Sequence, residues 1–399
     1  MKLIQKSYKY LVVLIYLSFA FDSLLKINIG IKIHIGILSI IVLNIGYFFL
    51  VGFKKKIKLL KLDQWLILFT IYVLINGLVK VGIDSLFIFL YLFLALNVYF
   101  FVKVNFKTFT KKVFYTFQIL LIVTGLTQLL LVWIFDYQLS FLDIAHYDKG
   151  SSVSLRLRGF FVEPNWFAIA FTFNTFLLIK NDIFTFFKRH ITLSVFTTLV
   201  LLLNGSFGTL IILVFTYGYQ YLKKNIVIGL FLVLIGGFSF YLILEKRSEF
   251  KKGKSGIELF NYYSRTEPFK RVNAYFDKQP VSKRVFGEGF GSWASQGVIH
   301  RLSVLNYKIR PHARDSSELH VFLFEIGLFG TFLFFLDIFS LYRNNLKSNY
   351  YISGAITLFI VCFLLYPIFK FLMYMIYYFI FRALIQKNKK EFLLEREDD

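Results

Sequence analysis

Runs of about 20 apolar residues follow one another along the chain, divided by short lysine and arginine clusters, and no water-soluble core absorbs so many. A helix of that length spans about 30 Å of hydrocarbon at 1.5 Å per residue. Composition agrees: 57% of the 399 residues are hydrophobic, Phe alone supplies 52, and the mean hydropathy is +0.64. A soluble enzyme, a secreted disulfide scaffold and a disordered tail are excluded. The predicted fold class is all-α, a polytopic membrane helix bundle forming one integral membrane domain over residues 1–399.

Twelve spans are predicted, at 11–26, 33–53, 64–80, 83–102, 113–135, 160–179, 190–204, 207–222, 225–244, 319–341, 350–367 and 370–385. Two long apolar stretches divide at Asn204-Gly205-Ser206 and at Pro367 with Lys370. The first run follows Lys2, Lys6 and Lys9, shows no small-residue cleavage site and leads directly into another span, so it reads as a retained helix. The single Cys362 lies inside an apolar run and allows no intrachain disulfide.

Net charge is +23, and its placement sets the topology. With the first residues cytoplasmic, the inner segments carry 24 Lys and Arg and the short outer segments 7, which puts both termini inside. The remaining 15 fall in one segment, 245–318, read as a long extracytoplasmic loop between spans nine and ten. Translocated loops beyond about 60 residues escape the charge rule, so its basicity is allowed there. With 8 acidic residues against those 15, it still calls for an anionic partner. On that face lipid-linked phosphates and membrane phospholipids are abundant and nucleic acid is not; a solvated loop touching headgroups is the plainer alternative. Residues 386–399 read as a charged cytoplasmic tail.

Two helix starts at the outer face carry the candidate chemistry. The first is the stretch Arg156-Leu157-Arg158-Gly159-Phe160-Phe161-Val162-Glu163-Pro164-Asn165, where Pro suits a first helical turn. Free N–H groups, the positive helix end and Arg156 and Arg158 together suit a phosphate, unless the arginines merely anchor the span at headgroup level. Glu163 sits at the membrane edge, where a carboxylate is costly without a partner. The second is Arg310-Pro311-His312-Ala313-Arg314-Asp315-Ser316-Ser317-Glu318-Leu319-His320, in which Asp315 and Glu318 form a capping-box-like helix start. Both helices run from outside to inside, so as neighbours they would surround one point with two dipoles and up to four arginines: Arg156, Arg158, Arg310 and Arg314. Glu325 lies deeper in the second helix and needs a structural or a functional partner. His320 reads as a hydrogen-bonded edge residue ahead of a catalyst.

No Gly-rich phosphate loop precedes a helix, and no His-Glu-x-x-His or paired-Cys spacing occurs. Asp143-x-x-His146-x-Asp148 has cation-ligating residue types but reads better as an ordinary loop, so no metal site is predicted. Asn204-Gly205-Ser206 fits a glycosylation sequon and reads as a turn.

Three stretches stand together in order: Arg156-x-Arg158-Gly159-Phe160-Phe161-x-Glu163-Pro164-Asn165-x-Phe167-Ala168; Val285-Phe286-Gly287-Glu288-Gly289-Phe290-Gly291; and Ser316-Ser317 leading to Glu325-x-Gly327-x-x-Gly330. In these and in the layout of spans around one long outer loop, the chain resembles the O-antigen polymerase and O-antigen ligase superfamily, the Wzy-type polymerases and WaaL-type ligases. The resemblance implies an enzyme of the bacterial cytoplasmic membrane that transfers glycan from an undecaprenyl-pyrophosphate donor on the outer side, without nucleotide sugar, cofactor or metal. It implies pyrophosphate binding by Arg156 or Arg158 and by Arg310 or Arg314, and membrane lipids, a flippase and a chain-length regulator as partners. Ligases of this kind tend to carry a His-Asn pair where Ser316-Ser317 stands, which favours a polymerase of O-antigen or capsule type. Glu163, His312, Asp315 and Glu318 are the candidates for deprotonating the acceptor sugar, with His320 and Glu325 supporting them. The competing readings are a ligase, a flippase or other transporter of lipid-linked oligosaccharide, and a structural scaffold. Against a transporter, the spans are mostly uncharged away from their ends, apart from Asp22, Glu325 and Asp337.

Overall fold

A computed structural model describes residues 2–28, 32–51, 63–81, 86–135, 157–161, 163–178, 183–204, 226–227, 230–231, 234, 267–302, 317–345, 350–366, 368–370 and 372–397. Among them the protein is mostly helical, as apolar runs in hydrocarbon require, because a helix satisfies its own backbone. The helices are α1 (Lys2–Ser18), α2 (Ile35–Val51), α3 (Gln64–Val81), α4 (Leu86–Asn105), α5 (Lys111–Leu129), α6 (Pro164–Leu178), α7 (Ile183–Arg189), α8 (Ile191–Asn204), α9 (Glu267–Phe276), α10 (Val281–Phe286), α11 (Gln296–Ile299), α12 (Glu318–Asn345), α13 (Tyr350–Leu365) and α14 (Leu372–Glu397). Strands β1 (Lys26–Asn28) and β2 (Lys32–His34) form an antiparallel hairpin, Ile27 opposite Ile33, between α1 and α2, so Ile33 and His34, expected inside the second span, lie before it and the apolar helix begins at Ile35.

Four helices are long and apolar enough to cross a membrane, over 64–81, 90–108, 111–132 and 318–344. Shorter apolar helices cover 35–49, 191–204 and 355–364. The expected span at 207–222 and three quarters of that at 225–244 lie outside the described residues. Three further differences from expectation stand out. Helix α1 begins at Lys2 and gives way to a 3-10 turn over Phe19–Phe21. Helix α7 occupies a stretch expected to be only a basic connection. The backbone of α14 stays helical to Glu397, through the expected charged tail.

Helices α12 and α6 form the inside. Two thirds of the α12 span is buried against 22% for α3 and 33% for α4, which marks the latter two as the outer layer. In α6 every residue from Phe167 to Leu178 is buried. Aromatic rings do much of the packing: Phe173 lies 4.4 Å from Phe359 and stacks on Tyr377 at 5.3 Å, joining α6 to α13 and α14.

The predicted outer loop is a folded layer over 267–302. Val272 and Phe276 of α9, together with Trp293 and Leu302, close a small second core on Val321 and Phe324 of α12. The apolar residues of α9 recur four apart, so one face of a short polar helix rests on the bundle.

Candidate functional site

The first helix start is clamped by amide side chains. Helix α6 begins at Pro164, as the sequence predicts. Just before it, Gln128 of α5 accepts from the N–H groups of Arg158 (2.7 Å) and Gly159 (2.9 Å). Asn204, the last residue of α8, donates to the carbonyls of Leu157 (2.6 Å) and Pro164 (2.9 Å). Four backbone groups at a chain reversal are thereby satisfied by two side chains, which fixes the Arg158 turn to α5 and α8. Arg158 is buried and Glu163 half-buried. Arg156 lies outside the described residues.

The second helix start leans on the same end of the bundle. Its first helical residue is Glu318, whose N–H donates to the Tyr366 carbonyl at 3.1 Å. The Glu318 carboxylate accepts from the Phe369 N–H at 3.1 Å, so it holds the turn between α13 and α14 in addition to starting its own helix. Ser317 Oγ and His320 Nδ1 are 3.0 Å apart, and the His320 ring lies 5.0 Å from Trp293. Glu318 and His320 are fully buried. The Tyr366 ring stands 6.3 Å from Trp166 in the first turn of α6. One residue thus touches the beginnings of both α6 and α12. Arg310, His312, Arg314 and Asp315 lie outside the described residues.

The other two resembling stretches meet each other. Helix α12 is broken at Gly327, whose φ of +68° and ψ of −171° only glycine tolerates. The break frees the carbonyls of Phe324, Glu325 and Ile326. Glu288 N–H and Gly289 N–H donate to the first two at 2.8 Å, and the Tyr72 hydroxyl donates to the third at 2.8 Å. Asn76 of α3 then holds the loop from below, donating to the Phe286 carbonyl at 2.6 Å and accepting from Phe290 N–H at 2.9 Å. Lys80 donates to the Gly287 carbonyl. Glu325, 1% exposed, accepts from Trp293 N–H at 3.1 Å, so its partner is the backbone of the folded layer. Tyr275 donates to Glu288 at 2.7 Å; burial first, and Glu288 second, push the Tyr275 phenol well above its ordinary range and keep it a donor.

At the opposite end of α12 lies a charge cluster that the sequence reading missed apart from Asp337. Arg382 of α14 donates from Nη1 to both Asp337 oxygens at 2.8 Å and from Nε to Asp63 at 3.0 Å. Lys103 of α4 reaches the other Asp63 oxygen at 2.9 Å, Gln386 donates to Asp63 at 3.0 Å, and Tyr378 donates to Asp337. Two carboxylates and two cations balance, which is what burial demands. Side chains of α4, α12 and α14 are joined there to the residue preceding α3. Beside the cluster, a cavity of about 340 Å³ lies between α3, α4, α12 and α14.

Among the described residues no three His, Cys, Asp or Glu gather as metal ligands, and Asp143, His146 and Asp148 lie outside them. No protein-family model matches the chain, and no curated protein matches it either.

Proposed function

We propose that the chain is a surface-polysaccharide polymerase of the bacterial cytoplasmic membrane, with about twelve spans and both termini cytoplasmic. Glycan moves from an undecaprenyl-pyrophosphate donor to the hydroxyl of the next lipid-linked repeat. The bond between the anomeric carbon and the pyrophosphate oxygen breaks, a glycosidic bond forms, the acceptor proton passes to a carboxylate, and undecaprenyl pyrophosphate leaves. Stabilising the charge that develops on the leaving group is the largest task. It falls to Arg158 with Arg156, Arg310 and Arg314. Glu163 is the proton acceptor favoured among the described carboxylates, because it is half-open where Glu318 is sealed and engaged by Phe369.

The observation supporting this reading is the meeting of the starts of α6 and α12 on Tyr366, with Arg158 in the turn just before α6. The test is polysaccharide length in a producing cell bearing Arg158→Ala or Arg314→Ala. Single-repeat glycan without long chains is the expected result; unchanged long-chain polymer in both variants overturns the reading.

A further inference from the structure

Part of the folded layer lies well below the end of the helix it packs on. Helix α3 has 18 residues, so it is about 27 Å long, close to the thickness of bilayer hydrocarbon. Its side chains Tyr72, Asn76 and Lys80 recur four apart and share one face. That face holds the stretch 286–290. The Phe286 carbonyl accepts from Asn76 at 2.6 Å and from the Tyr72 hydroxyl at 3.2 Å, and the Gly287 carbonyl accepts from Lys80. Asn76 and Tyr72 lie about 8 Å and about 14 Å in from Val81 along the helix axis, so the Phe286 carbonyl is set beside the span and not above it.

Irregular backbone at that depth has to find its partners in the protein, because hydrocarbon offers none. Here it does. The N–H groups of Gly287, Glu288, Gly289 and Phe290 donate to the carbonyls of Lys283, Phe324 and Glu325 and to the Asn76 side chain. The Gly289 carbonyl accepts from Ser292 N–H at 3.0 Å. Charge beside this stretch is balanced as well: Lys283 lies 3.0 Å from Glu288, and Arg284 lies 3.5 Å from Asp277. The open side continues the apolar surface of the bundle. Phe286 is 44% exposed and its ring lies 6.1 Å from that of Phe329 in α12, itself 42% exposed beside the exposed Leu328 and Phe332. Phe329 in turn meets Tyr72 edge-on at 5.1 Å. Phe286 therefore shares one surface with α3 and α12, two of the helices long and apolar enough to cross a membrane.

We propose that α10 and the loop after it form a re-entrant element in the half of the bilayer where α12 begins, with Phe286 against lipid acyl chains. The exposed Asp277 and Lys278 mark where the layer returns to water.

The test uses the natural full chain in nanodiscs of phosphatidylcholine carrying a diazirine midway along one acyl chain. After photolysis and digestion, label on Phe286 is expected within about twofold of that on Phe329 and Phe332, with none on Lys278. Label on Phe329 and Phe332 with none on residues 281–291 overturns the proposal. A second measurement places a spin label at Phe286→Cys, Phe329→Cys or Lys278→Cys in the Cys362→Ala chain. Collisions with oxygen should exceed those with a water-soluble nickel chelate at 286, as at 329. A chelate that prevails at 286, as at 278, also overturns it. Neither readout involves glycan, so the polymerase reading keeps its own length assay whatever the result.

Discussion

Gly287 and Gly327 cross with their backbones in contact: a Cβ on Gly327 would lie 2.4 Å from the Gly287 nitrogen, and one on Gly287 would lie 2.6 Å from the Gly327 nitrogen. Both have positive φ, +71° and +68°. The folded layer is therefore seated in the break of α12 by two residues without side chains. Replacing either with alanine adds backbone strain of about 1–3 kcal/mol, and the overlap adds to it. Gly287→Ala and Gly327→Ala should each lower the melting temperature in detergent. Gly46→Ala, where a Cβ meets nothing, should not.

The charge cluster gives a second prediction. Arg382→Met strands Asp337 and takes one of two cations from Asp63, a change of the kind that costs about 3–5 kcal/mol when a buried pair loses one member. Arg382→Met with Asp337→Leu removes charges of opposite sign together and should recover part of that loss. Folded yield and thermal melting of the single and double variants measure the difference. A double variant no better than Arg382→Met would show that the pairing is not what Arg382 supplies.

Acid should loosen the hairpin ahead of α2. Burial, with Lys26 beside it, pushes the His34 imidazole from 6.5 down to about 4. Its ring stacks on Phe19 at 4.6 Å, and Nδ1 accepts from Gly36 N–H at 2.9 Å. The folded protein keeps His34 neutral while the unfolded chain takes up a proton below about 6.5. Its stabilising contribution is complete above that pH and declines as pH falls toward about 4, by on the order of 3 kcal/mol. Melting curves across this range should be steeper in pH for the natural chain than for His34→Gln. Parallel curves would refute it.

The two carboxylates at the helix starts should separate by readout. Glu163→Gln should abolish long-chain polymer with little change in melting. Glu318→Gln should lower the melting temperature, because the neutral amide is a weaker acceptor for the Phe369 N–H than the charged carboxylate. The reverse pattern would make Glu318 the proton acceptor.

The mostly helical architecture and the four long apolar helices were legible because long apolar runs leave a composition signal that needs no knowledge of neighbours. Pro164 marked the start of α6 for a local reason, its missing N–H. What was not legible depended on distant partners. Glu318 was read as half of a capping box with Asp315, yet its described carboxylate partner is Phe369, 51 residues on. Asn204 was read as a turn residue, and its side chain instead clamps the Arg158 stretch 47 residues earlier. The two resembling glycine stretches were noted separately, and nothing in either tells that they interlock. Asp63 and Lys103 went unnoticed because they sit at helix ends, and Arg382 because it falls in the last turn of the expected span at 370–385, where isolated charge is ordinary. The four-residue recurrence of Val272 and Phe276 would have revealed α9 within the expected loop.

The Arg382 bond to Asp63 spans 319 residues, and this imposes an order on biogenesis. As the chain is made, α3 comes with an acidic residue at its head, and of the two cations that hold Asp63 in the described fold Lys103 is made first. Asp337 follows, and its described cation, Arg382, is made only with α14. The native arrangement at that end can lock only when α14 slides in between helices made long before it.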